Sequence, residues 1–277
     1  MTQQGEMVSV IVTTKNNCKT LGACLQSIAA QTYIPFEIIV VDNESTDETV
    51  EIAKSFTKHV YSKAPERSAQ RNFGVEKAVG KYVLIVDSDM ELETEVVVQC
   101  VASMQKNPLQ KAMIIPEMSF GKGFWAQVKR LERSFYIGQD AIEAARFFER
   151  DTYLQLGGYS EAMTGGEDWD LTRRFRENDR IGRCKAYVHH NEGHPRFMRT
   201  VKKMYYYGQH ASQYFESNKQ ESAVTSQSGP LARYKLFLSQ PLKLFRNPLI
   251  GLGVLTLKTA EYTAVTIGIL NGTRKNV

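Results

Sequence analysis

Asp87-Ser88-Asp89 closes an apolar run over 82–86. Two carboxylates set this close repel each other unless a cation or hydrogen-bond donors compensate them, and a divalent ion is the simplest compensation. Carboxylate oxygens are hard donors that suit Mg2+ or Mn2+, ions that commonly bridge one or two carboxylates to substrate phosphates. An isolated Asp-x-Asp triplet can equally cap a turn, so its company decides its weight. Asp42 ends a second apolar run, Arg71 and Asn72 stand upstream in ERSAQRNFGVEKAVGKYVLIVDSD, and Glu167-Asp168 opens a later segment with three acids in four residues. His189-His190 follows the apolar stretch 186–188. The alternation of a strand turns Val188 and His190 to one side and His189 to the other. His194, next to a glycine, falls in a loop.

These groups need a frame. The run VSVIVT over 8–13 is β-branched and apolar without interruption, as a strand buried on both faces of a parallel sheet must be. Leu21, Cys24, Leu25 and Ile28 share one face of a helix predicted over 21–31. A strand over 37–41, helices over 47–56 and 71–79 and a strand over 82–86 complete a βαβαβ unit. The fold class is therefore α/β with a doubly wound parallel sheet, whose ligands collect at the carboxyl ends of the strands. At those ends stand Thr13-Thr14-Lys15-Asn16, Asp42-Asn43-Glu44-Ser45 and Asp87-Ser88-Asp89. Further on, the sequence predicts a strand over 112–116 and a helix within 121–138 that turns Trp125, Val128, Leu131 and Phe135 inward. FFERDTYLQLGGY over 147–159 reads as aromatics around a Gly-Gly turn, and a helix spans 167–178. Acids at that helix start also suit its dipole, a purely structural reason for Glu167. Asp170 reads as solvated helix surface, and Arg173, Arg174 and Arg176 as a solvated basic face.

With these pieces in order, the chain resembles the inverting glycosyltransferases of family 2, which have the GT-A fold. The matching stretches are VSVIVTTKN, FEIIVVDNESTDET, the R-N-x-G run before GKYVLIVDSD, and GGYSEAMTGGEDWDLTRRF, together covering roughly residues 7 to 195. The resemblance implies a Rossmann-like, mostly parallel sheet flanked by helices. It implies a donor-binding set of Thr13, Thr14, Asn16, Asp42 and Asn43 around the nucleobase, with Arg71, Asp87, Ser88 and Glu167 toward the ribose, diphosphate and sugar. Asp89, with Asp87 and His190, would hold Mn2+ or Mg2+ on the diphosphate, where a metal stabilises the charge of the leaving group. Asp168 would be the base that takes the acceptor's proton, and a single displacement would invert the anomeric centre. Asp42 suits the imide N–H of uracil and also suits guanine, which leaves a UDP-sugar preferred over a GDP-sugar. The QxxRW motif of processive members is absent; Arg173-Arg174-Phe175-Arg176 stands after the Glu-Asp pair, which favours one transfer per encounter.

At 277 residues, 42% hydrophobic and 23% charged, the chain has the means for one sizeable α/β domain and an appendage. Its four cysteines form no CxxC pair, which fits a reducing compartment, and MTQQGEMVSV has no signal-peptide pattern, so a cytosolic start is expected. Residues 196–277 hold twelve Lys/Arg against three Glu, whereas the first 195 hold 23 against 27. Two kinds of partner follow from that asymmetry. LARYKLFLSQPLKLFRNPL over 231–249 interleaves apolar clusters with basic residues, as an interfacial segment does. The apolar stretch after it is interrupted by Lys258 and Glu261, three apart and able to pair. The expected division is a catalytic domain over 1–215 and a basic, amphipathic helical extension over 216–277, with a polar linker over 217–228 and Arg274 and Lys275 as end anchors. That extension would bind an anionic membrane surface on the cytoplasmic side, where a polyprenyl phosphate or a lipid-linked saccharide waits as acceptor. Its alternative is a helical subdomain packed on the catalytic domain or on a second copy in a homo-oligomer. Nucleic acid is not an expected partner, because no recognition motif accompanies the basic residues. Outside the transferase class stand a non-catalytic sugar-nucleotide-binding scaffold and a nucleotidyltransferase; the glycine-rich loop of the latter is missing from 13–17.

Overall fold

The computed structural model describes residues 5–163, 165–178, 180–217 and 229–273; most of the expected linker, and Arg274 and Lys275, lie outside them. The chain divides into two compact units, the first made of Met1–Glu117, Ala144–Glu161 and Glu167–Asn191, the second of Met118–Glu143, Ala162–Gly166 and Glu192–Val277. Helices near the C-terminus thus share a unit with residues 118–143, which the sequence reading assigned to the catalytic domain.

In the first unit the elements run β1 (Val8–Thr14), α1 (Cys18–Ala29), β2 (Phe36–Asp42), α2 (Thr49–Phe56), β3 (Val60–Ser62), α3 (Arg67–Lys77), β4 (Tyr82–Asp87), β5 (Met90–Leu92), α4 (Val96–Lys106) and β6 (Gln110–Ile114). At the border lies β7 (Glu117–Phe120). The first unit's later pieces are β8 (Ala145–Glu149), α6 (Arg150–Gln155), α7 (Glu167–Asn178), β9 (Arg180–Arg183) and β10 (Val188–Asn191), while α5 (Phe124–Ser134) falls in the second unit.

The seven-stranded sheet has the order β3-β2-β1-β4-β8-β6-β9. Strands β1 to β4 run parallel, β8 is antiparallel to both β4 and β6, and β9 is parallel to β6. This is the expected α/β class with a mostly parallel sheet. Every residue of β1 is buried, because its two faces serve two cores. Val8, Val10 and Val12 join Leu84 and Val86 under α1 and α4, and Ile11 joins Ile39, Val41, Val83 and Ile85 under α3 and α7. Elements not expected from the sequence include β3, β5, α4, β7, β8, α6 and β9. For β8 the reason is physical: ARFFE carries apolar residues on both faces, and without its partners it reads as a cluster of aromatics. The strand expected over 186–188 begins at Val188 and pairs antiparallel with β5, so that His190 stands opposite Met90.

The second unit is helical: α5, α8 (Phe197–Ser217), α9 (Pro230–Leu238), α10 (Pro241–Leu244) and α11 (Pro248–Thr273). Its core joins Val128, Phe135 and Tyr136 to Phe237, Leu244, Val254 and Leu257. Glycines let α8 and α11 touch at backbone distance: a side chain on Gly208 would meet the carbonyl of Val265, and one on Gly268 that of Tyr205. Lys258 does pair with Glu261, at 2.6 Å, but it also pairs with Glu132 of α5 at 2.6 Å, so these charges face the interior of the unit. No described helix is long and apolar enough to cross a membrane.

Candidate active site

Parallel register brings the three polar clusters to one sheet edge, with Thr14 opposite Asp42 and Thr13 opposite Asp87. Around Asp42 the chain makes a tight turn: Ser45 donates its backbone N–H (2.8 Å) and its hydroxyl (2.6 Å) to the two carboxylate oxygens. Asn16 takes the left-handed conformation (φ 46°) that asparagine tolerates, giving its N–H to Ser45 Oγ and accepting from Thr46 N on its side-chain oxygen. Asn43 accepts from Lys15 at 3.5 Å. Thr14 Oγ1 is buried and without a partner. Ser88 is held by Asn17, whose amide donates to its hydroxyl (2.7 Å), and by Thr20, whose hydroxyl donates to its carbonyl (2.9 Å). The Asp-Ser-Asp turn is thus fastened to the start of α1.

Helix α3 delivers Arg71. Gly74, on the same helical face, lies directly on Ile11, and this close approach drives Arg71 against the sheet until it is wholly enclosed. Its guanidinium donates from Nη2 to Asp87 Oδ1 at 2.8 Å, and from Nη1 to Asp168 Oδ1 at 2.9 Å and Glu167 Oε1 at 3.4 Å. The Tyr159 ring lies 4.9 Å from it. Arg71, expected beside the diphosphate or sugar, therefore spends both terminal nitrogens on carboxylates of its own chain, while its Nε is buried without a partner. Asn72 anchors that ring, bonding Tyr159 N and O and the Tyr153 hydroxyl. Glu167 is closed off by Arg67 at 2.7 Å and Arg71, whereas the Asp168 side chain stays 28% exposed. Of the acid pair, only Asp168 is open to solvent.

Two residues that the sequence reading did not single out complete the network. Arg146 of β8 lies 3.5 Å from Asp87 Oδ2 and 3.4 Å from Glu117 Oε2. Glu117 in turn meets His190 Nδ1 at 2.9 Å, while His190 Nε2 lies 3.3 Å from Asp89 Oδ2. Burial alone would raise the pKa of Asp87, but Arg71, Arg146 and Arg67 hold its carboxyl well below the usual carboxylate range. For His190, burial opposes the charge, yet hydrogen bonds to Asp89 and Glu117 overcome it and push the imidazole up to about 10. His189 turns the other way, to Glu93 at 3.1 Å. Arg173 and Arg174 are committed to Asp170 at 3.0 and 2.8 Å, so Asp170 is not a solvated surface group, and Arg174 also donates to the Gly158 carbonyl. His194 belongs to the second unit.

Among the described residues, no group of three or more His, Cys, Asp and Glu side chains is arranged to hold a metal ion. With both its oxygens facing arginines, Asp87 has little left to give a cation. Asp89 and, once a cation displaces its ring proton, His190 would supply one carboxylate and one imidazole side by side, with Glu117 behind the ring in the place of a partner that fixes a ligand's orientation. This donor set fits an ion that takes its other ligands from phosphate oxygens and water, as Mg2+ and Mn2+ do.

Residues 9–158 match the description Glycosyl transferase family 2. A curated relative, the PGL/p-HBAD biosynthesis glycosyltransferase of Mycobacterium tuberculosis, is 28% identical over 192 residues, 66% of this chain and 74% of its own. Among solved structures, the fold is similar to mannosyltransferase PcManGT from Pyrobaculum calidifontis in complex with GDP-Man and Mn2+ (TM-score 0.61, 17% identity, 97% of this chain and 88% of that one). It is also similar to S. aureus TarS 1-349 in complex with UDP-GlcNAc (TM-score 0.54, 18% identity, 96% and 89%). Of a longer TarS chain it spans 54%.

Proposed function

Because the chain belongs to glycosyl transferase family 2, we propose that it moves one sugar from a nucleotide-diphosphate sugar to a lipid-linked acceptor in a single inverting displacement. The observation that carries this reading is the shared guanidinium of Arg71, which holds Asp168 on one nitrogen and Asp87 on the other. It couples a solvent-open carboxylate to the corner where a diphosphate would lie. In the reaction, the acceptor oxygen forms its bond to the anomeric carbon as its proton passes to Asp168. The bond from that carbon to the diphosphate oxygen breaks, and its electron pair leaves with the nucleoside diphosphate. Asp89 and His190 are the residues that would hold Mn2+ or Mg2+, which when bound offsets the charge on the departing diphosphate. Thr13, Thr14, Asn16, Asp42 and Asn43 line the edge where the nucleobase would sit. A UDP-sugar is preferred, although the similar folds named above include one seen with UDP-GlcNAc and one with GDP-Man. The acceptor is a polyprenyl phosphate or a lipid-linked saccharide at the cytoplasmic face of a membrane, a setting in keeping with four free cysteines.

The test is to incubate the protein with Mn2+ and a panel of sugar nucleotides, and to follow release of nucleoside diphosphate. Release that falls by about a thousandfold in Asp168→Asn, with donor binding retained, and that disappears in Asp89→Ala, supports the reading. Pyrophosphate release from a nucleoside triphosphate would overturn it. Donor binding without turnover, in the presence of any lipid extract, would make the protein a scaffold.

A further inference from the structure

The helices α9, α10 and the start of α11 carry more apolar surface than their core uses. Phe237, Leu244, Val254 and Leu257 fill that core. Outside it stand Leu231 (86% exposed), Leu238, Leu242 (90%), Phe245, Leu249 (71%) and Leu252. Their placement is regular. On α9, Leu231, Lys235 and Leu238 recur at spacings of four and three and form one stripe, while the buried Arg233 and Phe237 lie on the opposite side of the helix. On α11 the exposed stripe begins with Leu249 and Leu252 and then turns to Thr256, Thr259 and Thr263, which separate this apolar surface from Ile267 and Leu270, exposed near the end of the helix. Isolated exposed leucines are ordinary, but six large apolar side chains within 22 residues are not.

The charge beside them has one sign. Residues 229–257 hold four basic side chains and no acidic one. Arg233 is buried over the Tyr136 ring and Lys243 donates to the Ser134 carbonyl, which leaves Lys235 and Arg246 exposed among the leucines. A second copy of this face would meet its own positive charge. An anionic bilayer would not: its headgroups attract Lys235 and Arg246, and its acyl boundary accepts the leucines.

We propose that this face is a membrane-docking surface, in which Leu231, Leu238, Leu242, Phe245, Leu249 and Leu252 enter the interface of an anionic bilayer while Lys235 and Arg246 meet its headgroups. The inference deepens the proposed function, on which it rests for the lipid-linked acceptor. It replaces the pairing of Lys258 with Glu261 at a membrane by a surface on which neither residue lies, because both are turned into the unit.

The full-length protein is floated with vesicles of phosphatidylcholine alone and of phosphatidylcholine mixed with phosphatidylglycerol. Wild type is expected to rise with the mixed vesicles and less with the neutral ones. Leu242→Glu/Leu249→Glu should lower the bound fraction by about tenfold, and Lys235→Glu/Arg246→Glu should remove the preference for the anionic lipid. Thermal unfolding and lipid-free nucleotide release from the sugar donor are measured on the same samples. Unchanged values there assign the loss to the surface, and absent release in wild type would sink the transferase reading while leaving the docking result to stand by itself. The proposal is overturned if wild type stays unbound with both vesicles, or if the leucine variant floats like wild type. It is equally overturned if that variant turns a dimer into a monomer with vesicle binding unaltered, since the face would then join two copies.

Discussion

Arg71 is bonded to Asp87 and Asp168 at 2.8 and 2.9 Å and has no access to solvent. Removing its charge would leave Asp87 with Arg146 at 3.5 Å and the field of Arg67 as its compensation, and breaking such a buried pair costs about 3–5 kcal/mol. Arg71→Met should therefore lower the melting temperature markedly and abolish turnover. Arg71→Lys keeps the charge, but an ammonium cannot present the planar fork that holds two carboxylates at once. Its expected signature is a stability closer to wild type with kcat down by about a hundredfold and KM for the donor moved much less. A purely structural arginine would instead show both losses in proportion. His190 and Glu117 invite a second comparison. His190→Ala should raise the Mn2+ concentration needed for half-maximal activity by about 10–100-fold, and Glu117→Gln should move it in the same direction, because Glu117 orients the ring at 2.9 Å. Asp42, Asp87, Asp89 and Asp168 were legible in the sequence because each ends a strand, stands in the turn just after one, or lies in the first turn of a helix whose own pattern is strong. Arg146 and Glu117 were not. Arg146 reaches Asp87 only through the antiparallel pairing of β8 with β4, a non-local fact that no local pattern in ARFFE encodes. Arg71 was legible as a member of the site, but its burial, and hence its role toward the carboxylates, depends on the contact of Gly74 with Ile11.

Helix α11 shows what an apolar composition leaves open. Its sequence is apolar on nearly every side, and such a helix can be covered by lipid or by protein; the answer lies with α5 and α8. Burial works to raise the pKa of Glu132 in α5, but Lys258 and Lys129, with hydrogen bonds from Lys258 and Tyr136, hold it down to about 2 against an ordinary 4.5. The folded value lies below the unfolded one, so the stabilisation is complete above about pH 4.5 and is lost as the pH falls toward 2. It amounts to something on the order of 3 kcal/mol. Lys258→Met reverses the sign: Glu132, buried without that cation, favours its neutral form, so this variant should be less stable than wild type at neutral pH and gain relative to it on acidification. Melting curves from neutral pH down to about pH 3 check both slopes, and parallel curves for the two proteins would exclude the ion pair as the cause. The glycines make an independent contribution. Gly268 sits against the Tyr205 carbonyl and Gly272 against that of Gln209, so Gly268→Val must push α8 and α11 apart, and overpacking of this kind costs about 1–3 kcal/mol. A melting temperature unchanged in that variant would mean that the two helices are not packed as described.

At the scale of the molecule, the chain passes from one unit to the other five times, since each unit is made of three separate segments. A boundary after residue 215 was a natural reading of the sequence, where composition shifts from a balanced domain to a basic, apolar tail. That shift is real, with twelve Lys/Arg against three Glu over 196–277, but it does not mark a division of the core. The core of the second unit takes Val128, Phe135 and Tyr136 from α5 and the residues after it, and Phe237, Leu244, Val254 and Leu257 from the tail. A chain ending at 215 would bare the first three, at about 1.5–3 kcal/mol each, and would leave Glu132 without Lys258. The combined loss is on the order of 5–10 kcal/mol, comparable with the whole stability of a typical domain. The shortened chain is accordingly expected to aggregate or to melt well below the full-length protein. It should not behave as a soluble catalytic domain relieved of an anchor. Size-exclusion chromatography and thermal unfolding of the two chains decide this. A monomeric 1–215 chain that melts with the full-length protein and releases nucleotide from the donor would show that the C-terminal helices are an appendage after all, and that the apolar faces of α5 find other cover.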